Sequence, residues 1–184
     1  LYCNLFDARP IIREIHLGGG TPTFFSSENL KKLINGIFEG AEKHPDFELS
    51  YEGHPNHTSE DQLQTLYDLG SRRNSFGIQD YDPIVQKAIH RVQSFEQVKK
   101  VNEWSREIGY TSISHDLIFG LPFQTEKSIR DTIKKTIELK PDRIAYYSYA
   151  HVPWIKGVGQ RGFDENDLPK DEEKRYLYEL GKQL

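Results

Sequence analysis

The chain contains no methionine and a single cysteine, Cys3, among its 184 residues. One cysteine excludes a disulfide within the chain and suits a reducing compartment, so a cytoplasmic location is the expectation. Long hydrophobic runs are missing as well. No apolar stretch approaches the roughly 20 residues that a membrane helix needs, and Leu1-Tyr2-Cys3 carries neither the basic nor the apolar region of a signal peptide. An excess of positive charge is also lacking. The formal net charge is -4, which argues against nucleic acid or an anionic membrane as the partner. There is no low-complexity tract and no short-period repeat. With no initiator residue, and with helical text at both ends, the expectation is an internal fragment of a longer protein.

What is present suffices for one domain with a real core: 36% of residues are hydrophobic and 28% charged, with a mean hydropathy of -0.70. Ile11 to Leu17 reads as a strand that runs into Gly18-Gly19-Gly20-Thr21-Pro22-Thr23. Such a glycine-rich break between a strand and a helix is where α/β proteins place ligands, although a bare βα turn would read the same. Ser26-Ser27-Glu28-Asn29 then caps a helix through Leu30, Leu33, Ile34, Ile37 and Phe38, which Pro45 is expected to end. Phe47 to Glu52 alternates as a second strand. Thr58 or Ser59 caps a helix running to Leu69 and stopped by Gly70. Arg72 to Gln79 is a third strand, and Asp80 to Arg91 a loop with room for a short helical turn. A helix opens at Ser94-Phe95-Glu96 and closes at Ile108-Gly109. Thr111 to Phe119 is a fourth strand, Thr125 to Leu139 a helix, Arg143 to Ala150 a fifth strand, and Glu172 onward helical.

Strands alternating with helices predict βαβ units and a parallel sheet. Within each strand one parity is apolar: Ile15 and Leu17, Leu49 and Tyr51, Phe76 and Ile78, Ile113 and Leu117. The other is polar or small: His16 and Gly18, Ser50 and Glu52, Ser75, Gly77 and Gln79, Ser112, Ser114 and Asp116, Ser148 and Ala150. A doubly wound sheet would be apolar on both faces, and a closed eight-stranded barrel would fill its interior with branched aliphatics. The pattern therefore predicts an incomplete parallel (β/α) barrel with a wet interior.

In such a barrel the C-terminal strand ends build the site. Glu52, Gln79 and Asp116 fall there on the inward parity. Each alone reads better as a hydrogen-bonded core polar group; together they favour a site. Arg91 could meet a carboxylate, though alone it reads as a surface arginine. Arg72 and Arg73 open the third strand at the opposite end and are assigned to structural ion pairs. The histidines make no trustworthy metal spacing: His54 and His57 are an isolated pair, His44 and His90 read as exposed, and His115 shares the apolar parity and reads as a core residue. His151, at the strand-end rim, is the histidine worth testing. Cys3 reads as an incidental or buried thiol.

Five segments occur in order: Gly18-Gly19-Gly20-Thr21-Pro22-Thr23; Glu52-Gly53-His54-Pro55; Ser75-Phe76-Gly77-Ile78-Gln79-Asp80; His115-Asp116-Leu117-Ile118-Phe119-Gly120-Leu121-Pro122; and Tyr149-Ala150-His151-Val152-Pro153. Together they resemble the oxygen-independent coproporphyrinogen III oxidases, radical S-adenosylmethionine (SAM) enzymes. The resemblance covers nearly the whole chain. It implies one radical SAM domain over residues 1–184, part of a (β/α)₆ partial barrel and truncated at both ends. It implies a [4Fe-4S] cluster that cleaves SAM to methionine and a 5′-deoxyadenosyl radical. The radical then drives decarboxylation of two propionates of coproporphyrinogen III to vinyls, in haem biosynthesis, with an external electron donor and a monomeric enzyme.

Carried over by position, Gly19, Gly20 and Thr21 would meet the amino-acid part of SAM, and Arg91 its carboxylate. Glu52, Gln79 and Asp116 would serve the ribose and the ammonium–sulfonium region, and the backbone of Ala150 the adenine. The chain departs from the pattern in lacking the C-x₃-C-x₂-C cluster motif, which the resemblance places upstream of Leu1, so the chain itself is expected to hold no metal and to be inactive. Two other readings stay open. One is the haem-binding chaperone branch of the same family, which Ala150-His151-Val152-Pro153-Trp154 and Gln160-Arg161 resemble less. The other is an ordinary nucleotide-binding (β/α) enzyme, which the absence of a P-loop lysine and of a spaced G-x-G-x-x-G weakens.

Overall fold

The computed structural model describes residues 7–152 and 163–184. The expected helix tail at 1–6, with Cys3, and the segment carrying Pro153, Trp154, Gln160 and Arg161 lie outside the described residues. Five strands form one sheet: β1 (Ile11–Leu17), β2 (Glu42–Gly53), β3 (Ser71–Gln79), β4 (Ser112–Phe119) and β5 (Arg143–Ser148). Between and after them come α1 (Ser27–Glu39), α2 (Glu60–Asp68), α3 (Pro83–Ala88), α4 (Phe95–Ile108), α5 (Glu126–Glu138) and α6 (Asp171–Gln183). The sheet order is β1-β2-β3-β4-β5, and the pairs β1–β2, β2–β3 and β4–β5 are parallel. The order never reverses, which is the topology of a (β/α) barrel and not of a doubly wound sheet, where a switch point is obligatory. The expected fold class stands on that topology.

The chain divides into two compact units, Leu1–Phe76 with Lys100–Ile113, and Gly77–Lys99 with Ser114–Leu184. In the first, α1 ends earlier than Pro45. The Arg9 guanidinium donates 3.0 Å hydrogen bonds to the carbonyls of Phe38, Glu39 and Ala41, satisfying the acceptors that every helix end leaves open. The chain then turns straight into β2, with Glu42 N–H donating to Pro10 O at 2.8 Å. Pro45 therefore lies inside the strand. It is tolerated because the register jumps there: Ile12 pairs with Lys43 but Glu14 with Glu48, and a residue without an N–H suits such an irregularity.

Ser59, not Thr58, caps α2, forming a capping box with Gln62. Removing the hydroxyl in Ser59→Ala should cost about 1 kcal/mol, read as a lower denaturation midpoint.

The strand parity holds in each unit. Leu49, Tyr51, Phe76 and Ile113 are at most 1% exposed, while Ser50, Glu52, Ser75 and Ser112 are half-buried. Polar groups inside the first core pair with one another. The Asn74 amide donates to Ser105 Oγ (3.1 Å) and Tyr51 Oη (3.3 Å), and Tyr110 Oη donates to Leu63 O (2.9 Å). Arg73 makes the expected ion pair, with Glu48 at 3.4 Å. Arg72 instead donates to Tyr67 O and Ser71 O and lies 3.7 Å over the Tyr67 ring.

In the second unit the stretch after β3 carries the expected short helical turn, α3. Asp82 accepts from the N–H groups of Ile84 and Val85, and Pro83 occupies the first turn, which starts α3. β5 stops at Ser148, two residues before its expected end. Leu117 and His115 are fully buried, as their shared parity requires. Phe119, Tyr146 and Tyr178 form an aromatic cluster with neighbouring centroids 5.0 Å and 6.1 Å apart, fastening α6 to the last strands. No helix among the described residues is long and apolar enough to cross a membrane.

Candidate functional site

In the first unit the glycine turn and the end of β2 meet. Gly19 and Gly20 have φ of +75° and +66°, which L side chains rarely adopt, and the space above both is open. The left-handed turn aims Gly19 N–H at Glu52 Oε2, 3.2 Å away. Glu52 Oε1 lies 3.5 Å from His16 Nε2, and His16 Nδ1 is 2.9 Å from Ser50 Oγ. A Cβ at Gly18 would stand 2.8 Å from His16 Nε2 and 3.2 Å from Glu52 Oε1, so the glycine leaves room for the two side chains as they stand.

Thr21 starts a short 3-10 turn over Pro22–Phe24, and its side chain makes no capping bond. The turn is held from behind by Gln62, whose amide donates to Thr23 O (2.7 Å) and Phe25 O (2.6 Å). Beside it lies a hollow of about 280 Å³ lined in part by His16, Gly18, Gly19 and Thr21.

In the second unit Gln79 and Arg91 come together over Gly77. A Cβ on Gly77 would sit 2.6 Å from Arg91 Nη2 and 2.8 Å from Gln79 Nε2. Arg91 Nη2 donates to Gly77 O at 2.8 Å, while its buried Nε has no hydrogen-bond partner. Burial lowers the guanidinium pKa and the Asp116 carboxylate opposes that shift. Arg91 is thus a half-desolvated cation with one carboxylate in its field and donor capacity left over, the condition of a group that binds an anion. Gln79 has φ +68° and is spanned by an Asp80 N–H to Ile78 O bond of 2.9 Å. This three-residue turn is strained for any residue other than glycine, and such strain concentrates at binding sites. Ala150 is exposed just beyond β5, after Tyr149 N–H donates to Phe119 O at 2.8 Å.

Asp80 is fully buried. It accepts from Asp82 N–H (2.7 Å), Gln124 Nε2 (2.6 Å) and Thr132 Oγ1 (2.9 Å). Burial raises its pKa and these donors partly offset the rise. Of the histidines, His54 and His57 have ring centroids 4.9 Å apart, and His151 packs beside Phe163 at 5.7 Å. No group of three or more His, Cys, Asp or Glu among the described residues could hold a metal.

The sequence profile of the radical SAM superfamily matches residues 4–136. The chain belongs to the radical SAM superfamily. A relative in Helicobacter pylori strain J99, named oxygen-independent coproporphyrinogen III oxidase, is 43% identical over 177 residues, 96% of this chain and 38% of that protein. One of the same name in Synechocystis is 38% identical over 174 residues, 95% of this chain and 37% of the relative. The solved structure of the Escherichia coli coproporphyrinogen III oxidase HemN, described as a radical SAM enzyme, superposes with a TM-score of 0.87. It is 36% identical, over 92% of this chain and 39% of that one. The chain thus spans somewhat over a third of the length of these proteins.

Radical SAM membership implies SAM and a [4Fe-4S] cluster. The described residues include no cysteine and no metal-holding group, so they offer no ligand set for the cluster. Strand parity and the glycine-rich turn mark Gly19, Gly20, Thr21, Glu52, Gln79 and Asp116 as candidates in the sequence, and the family resemblance adds the roles of Arg91 and Ala150. His16, Ser50, Gly77 and the buried glutamines behind the loops were not singled out. The adjacent parity of His16 and Ser50 on paired strands was the only signal that could have marked the first two.

Proposed function

We propose that this chain is a barrel domain of a longer oxygen-independent coproporphyrinogen III oxidase, and that its part in the reaction is to hold SAM. The observation that carries this reading is the match to relatives of that name along almost all of the chain. Gly19, Gly20, Thr21 and Glu52 of the first unit, and Gln79, Arg91, Asp116 and Ala150 of the second, are the SAM contacts. Gly19, Gly20 and Thr21 take the amino-acid portion through N–H and hydroxyl donors. Arg91 takes the carboxylate with charge-assisted bonds. Glu52, Gln79 and Asp116 take the ribose hydroxyls and the ammonium. Ala150 offers its backbone to the adenine edge. Bound SAM supplies the radical chemistry, and these side chains orient it and neutralise its charges.

The substrate on this reading is coproporphyrinogen III, two of whose propionates become vinyls with release of carbon dioxide. An external electron donor, a monomeric enzyme and a cytoplasmic location complete the proposal. The test is anaerobic turnover by the full-length, cluster-loaded protein, with protoporphyrinogen IX and 5′-deoxyadenosine measured together. Formation of both is expected. Stable haem binding with no porphyrinogen conversion would transfer the assignment to the haem-chaperone branch.

A further inference from the structure

Around Arg91 and Gln79 lie two buried glutamines that no functional reading includes. Gln86, in α3, and Gln93, in the loop before α4, are each 4% exposed, an unusual position for a residue type that is mostly at the surface. The Gln93 amide donates to Ile78 O at 2.6 Å and to Gly77 O at 3.3 Å. The Gln86 amide donates to Asp80 O and to Gln93 O, both at 2.9 Å, and its Oε1 accepts Gln93 N–H at 3.1 Å. Arg91 N–H donates to Gln86 O at 2.8 Å.

These bonds close a ring around the two candidate SAM ligands. The carbonyls of Gly77, Ile78 and Asp80, which bracket the strained Gln79, are all held by one glutamine or the other. The stretch that carries Arg91 is tied at Arg91 and Gln93 to the same pair. The carbonyl of Gly77 receives both Arg91 Nη2 and Gln93 Nε2, so the amide fixes the acceptor against which the guanidinium is aligned. A backbone turn at φ +68° is strained for a residue with a side chain and persists only where its surroundings over-determine it. The two amides are those surroundings.

We propose that Gln86 and Gln93 are positioning residues that act as one clamp, setting the direction of Arg91 and the conformation of Gln79 for binding the carboxylate end of SAM. The proposal rests on the SAM reading given above. Side chains that act through a shared partner give non-additive effects, and that separates a clamp on Arg91 from a purely structural role.

The experiment is a double-mutant cycle on SAM affinity in the full-length, cluster-loaded protein, using Gln93→Ala, Arg91→Ala and the double variant, with the thermal midpoint of each recorded. Gln93→Ala should weaken SAM binding by about tenfold in the wild-type background and by less than about twofold once Arg91 is gone. An equal loss in both backgrounds, or undiminished affinity in Gln93→Ala, would overturn the clamp while leaving the SAM reading intact. Unchanged affinity in Arg91→Ala alone would overturn the SAM reading and the clamp with it. If Gln93→Ala does not fold, Gln86→Ala carries the same cycle with the same two outcomes.

Discussion

Arg91→Ala is expected to weaken SAM binding to the full-length protein by roughly ten- to a hundredfold with the fold retained. The size follows from the chemistry. A hydrogen bond to a charged group contributes about 1.5–3 kcal/mol, and about 1.4 kcal/mol is a factor of ten in affinity. Fold retention follows from the geometry. The guanidinium donates to Gly77 O, and Gln93 still satisfies that carbonyl once the guanidinium is gone. The loop itself is held by backbone and glutamine bonds that the substitution leaves alone. Isothermal titration under anaerobic conditions measures the change, and circular dichroism checks the fold. Affinity equal to wild type would remove Arg91 from the site. Arg91→Lys should recover only part of the loss, because an ammonium lacks the planar fork that meets a carboxylate with two parallel bonds.

The largest expected effect on stability is at Asp80. Asp80→Ala should destabilise the protein by about 3 kcal/mol, since it strands the Asp82 N–H and the Thr132 hydroxyl at about 1–3 kcal/mol each. Asp80→Asn, almost the same shape, should also be damaging. Gln124 cannot turn its amide over to suit it: Gln124 Oε1 accepts Leu121 N–H at 3.0 Å and Nε2 donates to Ile118 O at 2.8 Å. The group facing Nε2 must therefore be an acceptor, and an asparagine with its oxygen toward Asp82 and Thr132 would present a donor.

Linkage supplies a second signature. The folded-state pKa of Asp80 is raised, so the folded protein holds this proton more tightly than the unfolded chain. Its contribution then declines as pH rises from the ordinary carboxylate value through the folded one, and Asp80→Asn should abolish that slope. Urea denaturation across the acidic range checks both the size and the sign. A slope that survives in Asp80→Asn would assign it to another group.

The element order was legible because it depends on local rules. Apolar spacing near 3.6 gave α1, α2, α4 and α5, and alternation gave the strands. The caps at Ser26, Thr125 and Gly70 sit where their chemistry put them. Two boundaries differed in their cause, the first set for a non-local reason and the second for a local one. Proline is a strong local stop signal, yet Arg9, about thirty residues away in sequence, ended α1 before Pro45 and pairing with β1 drew that proline into a strand. The short helical turn after β3 is α3, whose cap Asp82 and first-turn Pro83 are local signals.

The candidate ligands were legible at the level of position, since strand parity decides which face a side chain takes. Their supports were not. Apart from Gln62, which completes a capping box with Ser59, the buried glutamines Gln86, Gln93 and Gln124 have no periodicity and no motif to mark them in the chain. Each is buried because a βα loop leaves carbonyls and N–H groups that must find partners once water is excluded. Gly77 shows the same limit. In the sequence it is a small residue on an inward parity, and only the packed structure reveals that a guanidinium lies across it.

By itself the sequence determined the βα alternation, the polar inward face and the residue types at the strand ends, because these follow from periodicity and short-range sterics. The tertiary structure alone decided that Gly18 makes room for the His16–Glu52 contact, that Arg91 and Gln79 share the space over Gly77, and that two buried amides hold them there. Those are matters of which atoms meet once separate stretches of the chain pack together, and no local propensity encodes a contact whose partner lies in another stretch.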